Sequence, residues 1–356
     1  MKPGGIILRK KGLITTCITI ILLFTLSLSG CKSSKNSKEG LTKVRLNEVV
    51  RSIFYAPMYV ALNEGFFKEE GLEIELSTGQ GADKTMQQVL SRNADIGFCG
   101  SEQTIYSYSQ GREDYPILFA QLTKRDGSFL VGRTADPDFN WEKLRGKTVI
   151  GGRPGGMPEM TLEYILRNHG LTMSYNGEQT GKDINILTNL DFTATSAAFK
   201  AGTADYVALF EPTATVLQDQ GAGFIVASIG KDSGEIPYTC FFATKSYMEA
   251  NPEIIQKFTN ALYKGMIWVN EHSPEEIMKS IKPFFPGADE KQITTVVKRY
   301  KDQDSWTKDL ILTEEALTRI EDIIQSYKAE LLPSRPPYDK IVNTKFAVEA
   351  AKKFNK

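Results

Sequence analysis

The sequence predicts an α/β protein built as two lobes, and three observations lead to this prediction. Strand-like and helix-like segments alternate along residues 44–209, which is typical of mostly parallel sheets covered by helices. A second strand–helix series begins near Trp141, so the pattern is doubled. The 326 residues from Cys31 onward also exceed what one hydrophobic core usually organises.

The first series combines short apolar runs with amphipathic stretches. Strands are predicted where apolar and polar residues alternate or where a short apolar run is bounded by turn residues. Helices are predicted between them, each ending near a glycine or a polar turn. The predicted strands are residues 44–49, 72–76, 94–99, 116–121 and 128–131, and the predicted helices are residues 57–64 and 84–92.

The second series is followed by a mainly helical region from Tyr238 onward. Its predicted strands are residues 147–150, 184–187 and 206–209, and its predicted helices are residues 158–168 and 194–201. Pro158 suits a first helical turn and Gly170 a helix end. Further on, a long helix is predicted over residues 252–269. Ser273 and Glu276 have capping-box spacing, and Thr313 precedes another helix.

The first 30 residues have the organisation of a secretory signal peptide. Four basic residues precede or enter an apolar stretch over residues 12–28, and no acidic residue occurs before Cys31. Residues 28–31, Leu-Ser-Gly-Cys, resemble a bacterial lipobox. We therefore expect removal of residues 1–30, lipidation of Cys31, and a body held outside the cytoplasm on the bacterial cell membrane. The alternative is an uncleaved anchor, for which the stretch is short and diluted by hydroxyl residues.

Residues 31–41 are expected to form a flexible, lipid-anchored linker, because they are polar, rich in Ser and Lys, and without apolar periodicity. From Cys31 onward, 39 basic residues face 43 acidic ones. This balance argues against a nucleic-acid partner, which requires a basic face.

Cysteine and histidine are too scarce for a metal site or a histidine-based triad. Cys99 and Cys240 are the cysteines left in the body, and they are either two buried thiols or one disulfide. His169 and His272 are the only histidines, and no Cys-x-x-Cys occurs. Neither a metal nor another cofactor is expected.

Several motifs in a fixed order resemble a known family. The sequence RSIFYAPMYVA at residues 51–61 leads into GFFKEEGL at residues 65–72. Further matches are ADIGF at 94–98, LRGK at 144–147, ADY at 204–206 and FEP at 210–212. Together they resemble the ABC-transporter solute-binding proteins for nitrate, taurine, aliphatic sulfonates and thiamine pyrimidine precursors. The resemblance covers most of residues 42–345.

This resemblance implies a type II periplasmic-binding-protein fold, with two α/β lobes joined by a two-strand hinge and the ligand cleft between them. Lobe I would comprise residues 42–128 and a return over residues 239–345 that includes the C-terminal helices. Lobe II would comprise residues 129–238, and residues 346–356 would be a tail. Family members are monomers that deliver a small solute to an ABC permease driven by an ATPase.

Candidate ligand-binding residues follow the strands, because ligands of open α/β sheets bind beyond the carboxyl ends of the strands. The glycine-rich loop containing Gly155 and Gly156, together with Met157, precedes a helix and could bind anionic oxygens. The alternative is an ordinary tight turn. Ser101 and Glu102 follow another strand, where Glu102 could bind an amine or be a solvated acid at a helix start.

Aromatic residues suggest a flat ligand, whereas the charged residues favour two different classes of ligand. Phe54, Tyr55, Phe210 and Tyr238 could stack on a ring, or they could be ordinary core. Glu211 favours a ligand with an amino or protonated ring group, since a buried carboxylate needs a partner. Arg51 and Arg153 favour an anion instead, so the ligand class stays open.

The expected function is solute binding without catalysis. A pyrimidine-synthase-like enzyme of the same superfamily is one alternative, but it would need a cysteine-rich iron motif that these isolated cysteines do not provide. A ligand-sensing receptor is another, and it would be expected to carry a second apolar span.

Overall fold

Two separate mixed sheets organise the computed structural model, which describes Met1, residues 40–178 and residues 180–355. The signal peptide, the lipidation site Cys31 and most of the linker lie outside the described residues. Within those described ranges, no helix is both long and apolar enough to span a bilayer.

The first sheet has the strand order β2-β1-β3-β11-β4. β1 pairs in parallel with β2 and β3, whereas β11 pairs antiparallel with β3 and β4. Its strands are β1 (Thr42–Glu48), β2 (Leu72–Thr78), β3 (Ile96–Gly100), β4 (Pro116–Thr123) and β11 (Thr239–Thr244).

The second sheet has the strand order β10-β5-β9-β6-β8-β7. β6, β7, β8 and β9 pair in parallel, and β5 pairs antiparallel with β9 and β10. Its strands are β5 (Ser128–Gly132), β6 (Lys147–Ile150), β7 (Met173–Tyr175), β8 (Ile184–Leu187), β9 (Tyr206–Phe210) and β10 (Phe224–Ser228).

Helices connect and cover the strands, and the C-terminal third of the chain is mostly helical. Those between the strands are α1 (Ala56–Asn63), α2 (Phe66–Glu69), α3 (Ala82–Leu90), α4 (Glu102–Ser109), α5 (Met157–Asn168), α6 (Thr195–Lys200), α7 (Thr213–Asp219) and α8 (Ile229–Ser233). The C-terminal ones are α9 (Lys245–Ala250), α10 (Pro252–Glu271), α11 (Pro274–Ile281), α12 (Glu290–Asp302), α13 (Glu314–Tyr327), α14 (Tyr338–Ile341) and α15 (Lys345–Phe354).

The predicted two-lobed α/β architecture is confirmed, with two corrections. Pairing is mixed in both sheets rather than mostly parallel. The region after Tyr238 is mainly helical, as predicted, but it opens with strand β11, and strands β7, β10 and β11 were not predicted. Every residue of β11 is buried, and the strand lies between β3 and β4 in the sheet. A strand covered on both faces lacks the alternation that identifies a half-buried strand.

The predicted helix ends are confirmed at three places. The Ser273 side chain accepts from the Glu276 backbone N–H while the Glu276 carboxylate accepts from the Ser273 N–H, which completes a capping box. The Thr313 side chain accepts from the Ala316 N–H at the start of α13. Pro158 lies in the first turn of α5, and Gly170 follows its end with φ +68°.

The chain passes between the sheets at residues 124–127, before β5, and again at residues 234–238, before β11. The two crossings are hydrogen-bonded to each other. The Ile236 N–H donates to the Lys124 carbonyl at 2.9 Å, and the Tyr238 N–H donates to the Thr123 carbonyl at 3.2 Å. The crossings therefore form a two-stranded connection between the sheets.

Cys99 and Cys240 face each other across β3 and β11, and both are buried free thiols. The sequence left open two buried thiols or one disulfide, and the structure contains the two free thiols.

We predict that Gly97→Ala destabilises the first sheet. Gly97 pairs with Phe242 across β3 and β11, and a Cβ atom at Gly97 would collide with the Phe242 ring. Overpacking of this kind costs about 1–3 kcal/mol, which urea unfolding would measure. The matched control is Gly40→Ala, where a Cβ atom meets nothing within 4 Å. Equal stability of the two variants would contradict this account of the core.

Candidate ligand site between the two sheets

Four aromatic residues from separate segments come together between the sheets. Phe54 and Tyr55 lie in a 3-10 turn after β1, Phe210 ends β9, and Tyr238 lies in the second crossing. The Phe54 ring centroid is 5.7 Å from that of Tyr55, 6.4 Å from that of Phe210 and 6.0 Å from that of Tyr238. The structure thus brings together the four rings that the sequence nominated.

Neighbouring side chains fix the position of Phe54. The Ser52 hydroxyl accepts from the Phe54 N–H at 3.2 Å and so caps the turn. The Trp306 indole donates to the Phe54 carbonyl at 2.8 Å. The Tyr300 ring packs on the Phe54 ring with centroids 4.8 Å apart. Because Tyr300 and Trp306 come from the C-terminal part of the chain, local sequence gives no sign of these contacts.

Glu102 is a buried acid at the start of α4, directly after β3. Its exposed fraction is 1%, and one carboxyl oxygen has no hydrogen-bond partner. The other accepts a 3.3 Å hydrogen bond from the Gln103 side chain. Burial raises the pKa of Glu102 to about 7, so the alternative of a solvated acid is wrong.

Asp126 is a second buried acid, and the sequence analysis missed it. It lies in the first crossing, where one carboxyl oxygen accepts from the Ser128 N–H at 2.7 Å and from the Ser128 hydroxyl at 2.5 Å. The other oxygen has no partner, and burial raises the pKa to about 6. Its position between two predicted strands, 116–121 and 128–131, at the passage from one lobe to the other, was the signal that could have identified it.

The two acids lie near the tyrosines of the aromatic cluster. Burial raises the pKa of Tyr238 well above its ordinary value, and the charges of Asp126 and Glu102 raise it further. Burial and the same two carboxylates also raise the pKa of Tyr55. The Tyr238 hydroxyl interacts with the Asp126 carboxyl, but it makes no hydrogen bond of standard geometry. Unused polar atoms of Glu102, Asp126 and Tyr238 therefore share one buried, aromatic-walled region.

Ser101 lies at the same end of β3 but already has a protein partner. Its hydroxyl donates to the Pro237 carbonyl in the second crossing at 2.6 Å. The oxygen can still accept a hydrogen bond.

The glycine-rich loop is less open to anions than its sequence suggested. The Gly156 N–H donates to the Arg153 carbonyl at 3.0 Å, and Pro158, in the first turn of α5, has no N–H. Gly155 has φ +73°, and its carbonyl accepts from the Tyr106 hydroxyl of α4 at 3.2 Å. Met157, which begins α5, is buried. The loop instead contacts the helix that follows β3.

Glu211 is engaged within the protein, which removes the earlier argument for a nitrogen-containing ligand. It accepts from the Thr215 N–H and hydroxyl, both at 2.9 Å, and forms a salt bridge with Arg299 of α12. A carboxylate with these partners needs no cationic ligand.

Arg153 and Arg51 are also paired, which removes the argument for an anion. Arg153 lies 2.7 Å from an Asp83 carboxylate oxygen, and Arg51 lies 2.7 Å from a Glu48 carboxylate oxygen. The ligand class must therefore be argued from the groups that are not paired.

The two mixed sheets, the doubled crossing and the buried site between them define the class of protein. Aliphatic sulphonate-binding protein SsuA of Escherichia coli superposes with a TM-score of 0.65 at 16% identity, covering 86% of this chain and 99% of that one. The fold is that of the type II periplasmic binding proteins, with two α/β lobes joined by a two-strand hinge around a cleft.

The chain belongs to the NMT1/THI5-like family, which it matches over residues 53–277. It is 44% identical to YtlA of Bacillus subtilis over 92% of this chain and 94% of YtlA. YtlA is provisionally named a binding protein. It is 24% identical to the riboflavin-binding protein RibY of Chloroflexus aurantiacus, over 79% of this chain and 80% of RibY.

We predict that Glu102→Gln changes the pH dependence of stability. The pKa of Glu102 is raised in the folded state, so the unfolded chain loses this proton first and wild-type stability falls as pH rises from about 4.5 to about 7. The variant has no carboxyl group to ionise at this position, so its stability does not fall in this way. Between pH 4 and pH 8, the free energy of unfolding of the variant should increase relative to that of wild type by on the order of 3 kcal/mol at most.

Urea unfolding at both pH values measures the difference between wild type and variant. Glu113→Gln, at an exposed acid, serves as the control. If the two variants respond alike to pH, Glu102 is not the buried acid described above.

Proposed function

We propose that this protein is the extracytoplasmic solute-binding component of an ABC importer and not an enzyme. It captures a small organic solute between its lobes and delivers it to a permease driven by an ATPase. The observation that carries the proposal is the set of unused polar atoms on Glu102, Asp126 and Tyr238, which are buried near the aromatic cluster. Buried polar atoms without partners are costly, and a ligand that hydrogen-bonds to them removes the cost.

The unused atoms favour a ligand that donates hydrogen bonds. Two carboxyl groups and a hydroxyl accept well from amino or ring N–H groups, and aromatic walls suit a flat ring. We therefore favour a thiamine-type pyrimidine precursor or a similar nitrogen heterocycle over a sulfonate, taurine or nitrate-like anion. The name of RibY, a riboflavin-binding protein, supports a flat nitrogen-containing ring.

The proposed contacts divide into walls and polar partners. Phe54, Tyr55, Phe210 and Tyr238 form the walls, and Glu102 and Asp126 accept hydrogen bonds from the ligand. Further contacts come from Ser101, Gly155, Gly156 and Met157. Glu211 does not bind a cationic group of the ligand. It supports the site through its salt bridge with Arg299.

Binding works through closure of the lobes. Phe54 and Tyr55 are 0% and 4% exposed, so a ligand can enter only when the lobes separate. The Arg153–Asp83 pair and the hydrogen bond from Tyr106 to Gly155 join the glycine-rich loop to α3 and α4. Such contacts favour the closed state, and a ligand that touches both lobes shifts the population further toward it.

We further propose a monomer anchored to the outer face of the bacterial cell membrane. The support is the signal-like segment over residues 1–30 with the lipobox at Cys31. Anchoring of this kind needs more than one acyl chain to be stable, which bacterial lipoprotein modification provides.

We predict that Tyr238→Phe weakens ligand binding while Tyr263→Phe does not. Both tyrosines are buried, and neither hydroxyl makes a hydrogen bond of standard geometry, but Tyr263 lies on α10 away from the site. Loss of one hydrogen bond to the ligand costs about 1 kcal/mol, or roughly fivefold in Kd. The ligand is first found by thermal shift against aminopyrimidines, thiamine, riboflavin, alkanesulfonates, taurine, nitrate and amino acids, and calorimetry then gives Kd.

Three results would contradict the proposal. The first is a folded protein that no compound in the panel stabilises. The second is an equal loss of affinity in both tyrosine variants. The third is a bound protein that shows no compaction by small-angle scattering when compared with the free protein.

We predict that Cys31→Ser releases the protein from the cell membrane. The serine hydroxyl cannot form the thioether of a bacterial lipoprotein, so the variant lacks the acyl anchor. Fractionation of bacterial cells followed by immunoblotting measures the shift from membrane to soluble fractions, and Cys17→Ser is the matched control. Unchanged membrane association of Cys31→Ser would contradict lipid anchoring at this residue.

A further inference from the structure

A second cavity lies beside α5, on another face of the helix from the site described above. Successive residues of an α-helix are about 100° apart, so Glu159 and Glu163 share one face while Met157 and Thr161 share a different one. Thr161 lies near Asp126 and lowers the pKa of its carboxyl group. The face that bears Glu159 and Glu163 is therefore turned away from the interlobe site.

The cavity has a volume of about 290 Å³ and opens to the surface. It is formed by the glycine-rich loop, the ends of β7 and β8, and the C-terminal end of α13. The lining residues are Pro154, Glu159, Tyr175, Thr188, Tyr327 and Lys328. A space of this size holds a small organic molecule or several waters.

Glu159 is the chemically unusual member of this lining. Its exposed fraction is 0%, and neither carboxyl oxygen has a hydrogen-bond partner. The neighbouring Glu163 is different, because one of its oxygens accepts from the Tyr175 hydroxyl at 2.8 Å and from Arg167 at 2.5 Å. Arg167 therefore pairs with Glu163, whereas Glu159 forms no salt bridge among the described residues.

The charged and titratable groups around Glu159 come from three elements. Glu163 and Arg167 lie on its own helix, Tyr175 ends β7, and Tyr327 and Lys328 lie at the end of α13. Burial, the Glu163 charge and the side-chain interaction with Glu163 together raise the pKa of Glu159 to about 8, while the Gly155 backbone and Arg167 oppose the rise. Lys328 is exposed, so its ammonium group reaches solvent at the mouth of the cavity.

We propose that this cavity is a second ligand site, which takes a small organic ammonium ion with Glu159 as the acceptor. The ammonium N–H groups supply the hydrogen bonds and the positive charge that Glu159 lacks. Tyr175 and Tyr327 offer rings against which a cation is stabilised. Among the described residues, no group of three or more His, Cys, Asp or Glu could hold a metal ion, which favours an organic cation.

The test is titration of the full-length protein with propylammonium chloride, with 1-propanol as the neutral isostere and sodium chloride at equal ionic strength. Saturation-transfer NMR and thermal shift measure binding. The cation should bind and propanol should not. Because ionised Glu159 is the acceptor, binding should be about tenfold tighter at pH 9 than at pH 7.

Variants separate a binding role from a structural one. Glu159→Gln should weaken propylammonium binding at least fivefold and abolish its pH dependence. Glu321→Gln is the matched control, because Glu321 is also a buried acid with an unpartnered oxygen and lies outside this cavity. Lys328→Gln should strengthen binding, since it removes a like charge from the mouth, and this variant leaves the buried cluster intact.

The proposal does not depend on the interlobe site, and the outcomes distinguish the two. It is overturned if wild type binds propanol as well as propylammonium, or binds neither because the cavity holds solvent only. It is also overturned if Glu102→Gln abolishes propylammonium binding while Glu159→Gln retains it, which would assign the ammonium ion to the interlobe site. Loss of binding in Glu159→Gln and its gain in Lys328→Gln support it.

Discussion

The doubled crossing between the sheets is the constraint on which the rest of the structure depends. Two hydrogen bonds, from Ile236 to Lys124 and from Tyr238 to Thr123, hold the passages together as neighbouring strands. Asp126 lies in one of these passages and Tyr238 ends the other, so the connection that joins the lobes also supplies part of the proposed site. Movement of one lobe relative to the other must therefore change the surroundings of both groups.

The C-terminal helices reinforce this connection from one side. Gln303, just after α12, donates to the Asp126 carbonyl at 2.8 Å, and Arg299 of α12 pairs with Glu211 at the end of β9. Trp306 donates to the Phe54 carbonyl. Residues distant in sequence thus bind the backbone carbonyls of Asp126 and Phe54, while the rings of Phe54 and Tyr238 contact one another. Because its carboxylate is paired with Arg299, Glu211 supports the site but is not available to a ligand.

Sequence patterns predicted the elements well where periodicity and capping are local. The capping box at Ser273 and the helix from Pro158 to Asn168 needed no tertiary information. β11 was missed because it is buried on both faces, and the pairing of Glu211 was missed because Arg299 is 88 residues away. The meeting of the four rings could be predicted from strand ends and from the expected hinge position of Tyr238. The ion pairs that neutralise the arginines depend on side-chain geometry that no local pattern contains.

Charge pairing restricts the kind of ligand that the proposed interlobe site can accept. Arg51 and Arg153 each have a carboxylate partner at 2.7 Å, so an anion would have to compete with Glu48 or Asp83 for them. Glu102, Asp126 and Tyr238 have unused atoms in a region closed to solvent. Each unsatisfied buried group costs about 1–3 kcal/mol, and a donor that satisfies several of them at once recovers that free energy only in the closed state. In the proposed function, discrimination between ligands and closure of the lobes have the same physical origin, because the atoms that would select a hydrogen-bond donor are the atoms whose burial makes the closed state without ligand unfavourable.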